Sequence, residues 1–129
     1  FVAKNGDHPM FDLTDAFISR DRTRTVRLIE KYRNEGVPVE EMFWKILRQA
    51  RTTLAVKKLS GLAPDTIQKK TGIHPFVVKK SLAASARFSR GELESLVISL
   101  IEAYRFSRVG LGDLDASILA LALTPERAL

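Results

Sequence analysis

Few side chains in this 129-residue chain have the type and spacing that catalysis demands. Nucleophilic chemistry needs a hydroxyl or thiol beside a positioned base. The chain has no cysteine, and nothing pairs Ser81 or Ser85 with a base. Small residues four apart on a helix more often mark close packing. Metal binding needs converging His, Cys or carboxylate ligands. The two histidines, His8 and His74, lie far apart, and each precedes a proline. Neither belongs to an HExxH or HxxE pattern. The carboxylate pairs Glu40/Glu41 and Glu92/Glu94 sit at expected helix starts, where the helix dipole accounts for them. No GxxxxGK[ST] loop and no GxGxxG follows a strand. The reading is a domain that is no enzyme by itself, with no catalytic residues, no cofactor and no metal.

What remains is charge. The net charge is +6, yet residues 42–91 alone hold eleven basic side chains and one acidic one, Asp65. The flanking segments are net acidic. Such asymmetry suits an anionic partner, such as nucleic acid, an anionic membrane surface or an acidic protein face. It equally suits a solvated surface that neutralises acidic flanks within one fold.

The elements that must position these charges read as helices. At 129 residues the chain is one domain, large enough to bury a core without disulfides. No apolar run approaches the roughly 18 residues of a membrane span. The absence of cysteine suits a reducing compartment. Residues 1–10 contain Gly6 and Pro9, lack periodicity and read as a lead-in segment, leaving 11–129 as the domain. The chain begins at Phe1 and shows no signal peptide, so it is expected to be a piece of a longer protein.

The first helix is expected over Phe11–Ser19, capped by Asp12 or Thr14. Asp21 caps the second, in which Val26, Ile29 and Arg33 fall on one face with Leu28 and Tyr32 beside them. Gly36 stops it, and Pro38 opens a third helix to about residue 59. That helix has Val39, Met42, Phe43, Ile46, Leu47, Ala50 and Leu54 at 3.6-residue spacing. Short helices follow over Pro64–Lys70 and from Pro75 to about Phe88. Ser89 and Glu92 form a capping box for a long helix to about Ser107. Its stripe is Leu93, Leu96, Val97, Leu100, Ile101 and Tyr104. Asp113–Leu123 is the last helix. No strand is convincing and nothing repeats, so the fold class is an all-α bundle of about seven helices.

Two constellations stand out. Residues 64–88 have the outline of a helix-turn-helix, with Phe76, Lys79, Lys80, Ala83 and Arg87 on an outer, basic face. No Asn, Gln or Arg lies between 72 and 86, so the side chains best suited to base edges are missing. Phosphate-backbone contact and ordinary packing with a solvated face both fit this segment. The second constellation is apolar. Trp44 lies beside the core stripe of its helix, and the last helix, along Leu114, Ile118, Leu121 and Ala122, is apolar on most sides. Such a helix is buried in the core or against another subunit.

From Met10 to Thr124 the chain also resembles a family. The anchors are Phe11-Asp12-Leu13-Thr14-Asp15-Ala16, Glu35-Gly36-Val37-Pro38, and Arg48-Gln49-Ala50-Arg51 with Lys57. Gly72-Ile73-His74-Pro75-Phe76-Val77-Val78-Lys79-Lys80 and Ala86-Arg87-Phe88-Ser89 with Leu93 follow, then Glu102-Ala103-Tyr104 to Gly110. In order and spacing they resemble the C-terminal helical domain of the delta subunit of bacterial DNA polymerase III. That subunit belongs to the clamp loader.

The resemblance implies an all-α collar domain that oligomerises. It implies gamma/tau and delta-prime subunits as partners in a pentamer that loads the sliding clamp onto primer–template DNA in the cytoplasm. The family's two AAA+-type domains, including the one that touches the clamp, are absent from this chain. The family's delta subunit has no working ATPase site and is a non-catalytic part of the nucleotidyltransferase holoenzyme. Arg105 and Arg108 flank the turn at 106–112, where the family's chain approaches DNA. Relatives can hold an aromatic in that turn, and this chain holds Val109, which speaks against base stacking there. The expected nucleic-acid contacts are therefore Arg105, Arg108, Lys79, Lys80 and Arg87. The expected subunit interface is Trp44, Leu114, Ile118 and Leu121. The alternative function is a helix-turn-helix-like nucleic-acid-binding domain.

Overall fold

Seven helices follow one another in the computed structural model, which describes residues 10–123. They are α1 (Phe11–Ile18), α2 (Arg22–Asn34), α3 (Val39–Lys58), α4 (Pro64–Thr71), α5 (Pro75–Ser85), α6 (Arg90–Arg108) and α7 (Leu114–Leu123). No strand occurs among the described residues, so the fold is the expected all-α bundle. Most of the lead-in segment, with His8, lies outside the described residues.

Local chemistry sets most boundaries. Asp21 Oδ1 accepts the Arg24 N–H at 3.2 Å and starts α2. At the other end of α2, Gly36 at φ +87° lets its N–H reach Arg33 O, while the Val37 N–H reaches Tyr32 O. This pair of bonds is a Schellman closure, and it needs a left-handed residue at Gly36. The capping box at α6 is complete: Glu92 N–H donates to Ser89 Oγ at 3.0 Å, and Ser89 N–H donates to Glu92 Oε1 at 2.8 Å. The Ser89 N–H, with a smaller contribution from Arg20, holds the Glu92 carboxyl below its ordinary range. His74 starts α5 through Nδ1, which accepts the Phe76 N–H at 3.0 Å.

Helix α3 is the spine, packing against α6 on one side and α5 on another. Met42, Phe43, Ile46, Leu47 and Ala50 join Leu13 and Phe17 of α1 and Leu93, Leu96 and Leu100 of α6 in the main core. A second, smaller core of Val56, Ile67 and Val78 sits between the end of α3 and the α4–α5 pair. Lys57 Nζ donates to Ser85 O at 3.2 Å and ties the ends of α3 and α5 together.

Three expectations about faces need correction. Neither Asp12 nor Thr14 caps α1; Met10 precedes it with φ +51°. Asp12 Oδ1 instead accepts the Leu13 N–H and the Tyr32 hydroxyl at 2.7 Å. The buried face of α2 is Thr25, Ile29 and Tyr32, so Ile29 turns inward with Tyr32 beside it, whereas Val26 is only partly buried and Arg33 is exposed. Thr25 is tolerated inside because its hydroxyl donates to Asp21 O at 2.7 Å. Arg33 points outward and pairs with Asp115 at 3.4 Å. On α6, Ile101 is exposed, since the face that meets α3 runs through Leu93, Leu96 and Leu100 to Tyr104, whose ring stacks on Phe43 at 5.5 Å.

The Tyr32–Asp12 bond makes a pH prediction. Burial first, then the hydrogen bond and the charge of Asp12, push the Tyr32 phenol up from 10.0 to about 12. A folded-state value above the unfolded one favours the protonated phenol, so this stabilisation is complete below pH 10.0 and is lost as pH climbs to about 12. Tyr104→Phe leaves Tyr32 as the one remaining tyrosine of two. Ultraviolet titration of that variant should give a midpoint near 12, and adding Asp12→Asn should lower it.

Candidate nucleic-acid and subunit interfaces

The basic residues expected on α5 divide once the packing is known. Lys79 is exposed. Lys80 is half-buried, and its Nζ lies 2.9 Å from Asp15 Oδ2 on α1. The same ammonium stands 5.7 Å from the Phe11 ring and 5.4 Å from the Phe76 ring. Both rings are otherwise open to solvent, at 69% and 62% exposure. Arg87 lies just past the end of α5 and shares a shallow groove with Asp15, Gln49 and Lys80.

The inward face of α5 explains why the segment packs as it does. Val78, Ser81 and Ser85 are buried, so small side chains let α5 approach α3 closely. Ser85 satisfies its hydroxyl on Leu82 O, whereas the buried Ser81 Oγ has no hydrogen-bond partner. The hinge of the pair is Gly72, at φ +73°, whose N–H bonds Gln68 O at 2.8 Å.

Arg105 and Arg108 are elsewhere, exposed in the last turn of α6. The turn after them is held by Leu111 N–H to Phe106 O at 2.9 Å and Gly110 N–H to Ser107 O at 3.3 Å, with Gly110 at φ +78°. A Cβ at Gly112 would stand 3.4 Å from Phe106 Cβ, so this turn folds tightly back on α6. Arg108 lines a groove with Glu40, Tyr104 and Asp113. Arg108 therefore lines a different groove from Lys80 and Arg87.

Helix α3 supplies cations that the sequence reading left out of the site. Lys45, Arg48 and Arg51 follow one another at three-residue steps beside the apolar stripe, a spacing that places them on one outer strip. Arg48 and Arg51 share an open groove of about 430 Å³ with Trp44. Arg48 also lines the next groove, with Phe11, Lys45 and Val77. That charge strip was readable from its periodicity; its meeting with Lys80 and Arg87 was not. Trp44 is half-exposed at 47%, with its ring centroid 4.8 Å from that of Tyr104 and 5.2 Å from that of Phe43.

The apolar interface residues move too. Leu114, Ile118 and Leu121 are buried in the main core of this chain. Helix α7 packs against α2, α3 and α6, so Leu114 and Ile118 are not offered to a partner, and Leu121 reaches only the edge of a groove between α6 and α7. The apolar surface left between α6 and α7 is a groove lined by Ala103, Phe106 and Leu121. Ile98, Ile101 and Leu123 are exposed outside its lining.

The family model for the DNA polymerase III delta subunit, C-terminal domain, matches residues 7–110. The chain belongs to that family. Its fold is also similar to the solved Bacillus subtilis DNA clamp loader delta protein (YqeN), with a TM-score of 0.80 at 21% identity. That likeness covers 92% of this chain and 36% of the other, so the chain spans about a third of that protein's length. No curated protein matches the chain. Among the described residues, no group of three or more His, Cys, Asp or Glu could hold a metal, and no helix is long and apolar enough to cross a membrane.

The packing of α5 sets its own test. Ser81→Ala removes a buried hydroxyl that bonds nothing, so urea unfolding should show no loss and a gain of up to about 1 kcal/mol. A clear loss would mean that the hydroxyl is hydrogen-bonded.

Proposed function

We propose that this chain is the oligomerisation module of a clamp-loader delta subunit. In this reading it joins the collar domains of gamma/tau and delta-prime subunits and helps to hold the pentamer that loads the sliding clamp on primed DNA. The module performs no catalysis itself and works in the bacterial cytoplasm, and the clamp is met only by domains outside this chain. The observation that carries the reading is the family match across residues 7–110.

The surface supports it. Specific interfaces place apolar anchors at their centre and polar groups around them. Helix α6 and the end of α7 expose Ile98, Ile101, Phe106 and Leu123. Glu102 and Ser117 border the α6–α7 groove that Phe106 lines. Val109 and Leu111 extend this apolar surface into the turn after α6, both strongly exposed. A neighbouring helical domain could bury these side chains, and each fully buried one contributes on the order of 1.5–3 kcal/mol.

The test is assembly. Mixed at micromolar concentration with folded collar domains of the partner subunits, the chain should elute as a defined heteromer by size-exclusion with light scattering. Ile98→Asp with Ile101→Asp should weaken that complex by at least tenfold while leaving the chain's own melting temperature nearly unchanged, because both side chains are exposed. A chain that stays monomeric beside its partners would overturn the reading.

A further inference from the structure

We infer that the outer face of α6 is a self-complementary seam through which two copies of this chain pair, helix against antiparallel helix. The inference concerns the chain alone and does not rest on the assembly reading, although both use Ile98 and Ile101. Helix α6 sends its side chains in three directions. Leu93, Leu96, Val97 and Leu100 are buried, and the Tyr104 ring stacks on Phe43 of α3. Ala103 and Phe106 turn to the groove shared with α7. The strip that is left carries Gly91, Glu94, Ile98, Ile101, Arg105 and Arg108, at steps of three and four residues in strict alternation. That is the spacing of a coiled-coil seam, which keeps one face of a helix toward a partner helix. Ile98 is 56% exposed and Ile101 39%, so the apolar centre of the seam lacks cover within one copy.

The order of residue types along the strip selects the occupant. Glu94 stands before the two isoleucines, and Arg105 and Arg108 stand after them. In an antiparallel pair, residue numbers rise along one helix as they fall along the other. About a dyad between Ser99 and Leu100, Ile98 then faces Ile101 of the second copy, and Glu94 faces its Arg105. Arg108 falls on the second copy's Gly91, where no side chain stands in the way and Glu94 is one turn off. A single dyad satisfies all these pairs, and each occurs twice, as a two-fold interface requires.

Charge also fixes the direction. A parallel pair would set Glu94 against Glu94 and Arg105 against Arg105, which costs affinity at both ends. Glu94 is available for the antiparallel contact. Its side chain is 44% exposed and pairs here with Arg90 of the same helix at 3.4 Å, a surface contact that contributes little. A phosphate backbone fits the strip poorly, because Glu94 would repel it and both isoleucines would stay in water. The seam from Gly91 to Arg108 is about 26 Å long. An interface this small belongs to the weak class, so the dissociation constant is expected at about 100 µM.

The experiment is sedimentation equilibrium of the chain alone, from about 10 µM to about 1 mM. Mass should rise from monomer toward dimer across that range. Glu94→Arg and Arg105→Glu should each weaken the dimer about tenfold or more, since each sets two like-charge pairs across the seam. Mixed in equal amounts, these two variants should pair with each other about tenfold more tightly than either pairs with itself. Ile98→Asp with Ile101→Asp should stay monomeric throughout. All four side chains lie at the surface, and circular-dichroism melts should confirm that the variants fold.

A chain still monomeric at the top of that range would overturn the inference. So would a dimer indifferent to Glu94→Arg, or charge variants that fail to pair when mixed. A chain that is monomeric alone, yet joins collar domains through Ile98 and Ile101, would give the strip to a partner subunit instead. A chain that pairs with itself and ignores those domains would refute the assembly reading and support this one.

Discussion

Everything in this fold depends on one helix being buried on more than one side. The 20-residue α3 packs against α6 along one flank and α5 along another, with α1 and α7 closing on it as well. Its inward side chains Met42, Phe43, Ile46 and Ala50 are fully buried. Truncating a large side chain at such a site costs about 2–5 kcal/mol, a large share of the stability of a domain this size. The 3.6-residue period then leaves a single outer strip for everything else. Trp44, Lys45, Arg48 and Arg51 occupy that strip because the core claims the other positions.

The second core has a different consequence. Val56, Ile67 and Val78 anchor the α4–α5 pair to the end of α3. Small residues on the inner face of α5 bring its outer, basic face close beside the strip on α3. The Lys80–Asp15 pair, 65 positions apart in the chain, fixes α5 against α1 between two exposed phenyl rings. A half-exposed pair of this kind contributes little to stability, at most about 1 kcal/mol. Its effect is to place Lys80 rather than to hold the fold. Apolar side chains are also exposed elsewhere, on α6 and in the turn after it, outside the face of α6 that meets α3. The molecule thus presents a cationic, aromatic face and a separate apolar one.

Legibility in the sequence varied with the strength of the local signal. The capping box at Ser89 and Glu92 was readable because both partners lie within one turn and satisfy backbone groups the helix leaves open. The stripe of α3 was readable because it is long and strongly apolar. The face of α2 was not, since it has few apolar residues and a one-residue shift rotates a helix by about 100°. There the outcome turned on Tyr32 reaching Asp12 and on Arg33 reaching Asp115, both contacts between distant parts of the chain.

The sequence by itself determined the seven helices, their main stops and the family, since these follow from caps, glycines, periodicity and ordered motifs along the chain. Tertiary structure alone decided which candidate site residues stand together. Helix α7 is apolar nearly all round, so its pattern could not say whether Leu114, Ile118 and Leu121 met the core or a neighbour; packing against α2, α3 and α6 put them inside. The cations of α3 and α5 are about 30 positions apart, and no periodicity carries that distance. Their juxtaposition comes from how closely two helices approach, and that is set by the small side chains buried between them.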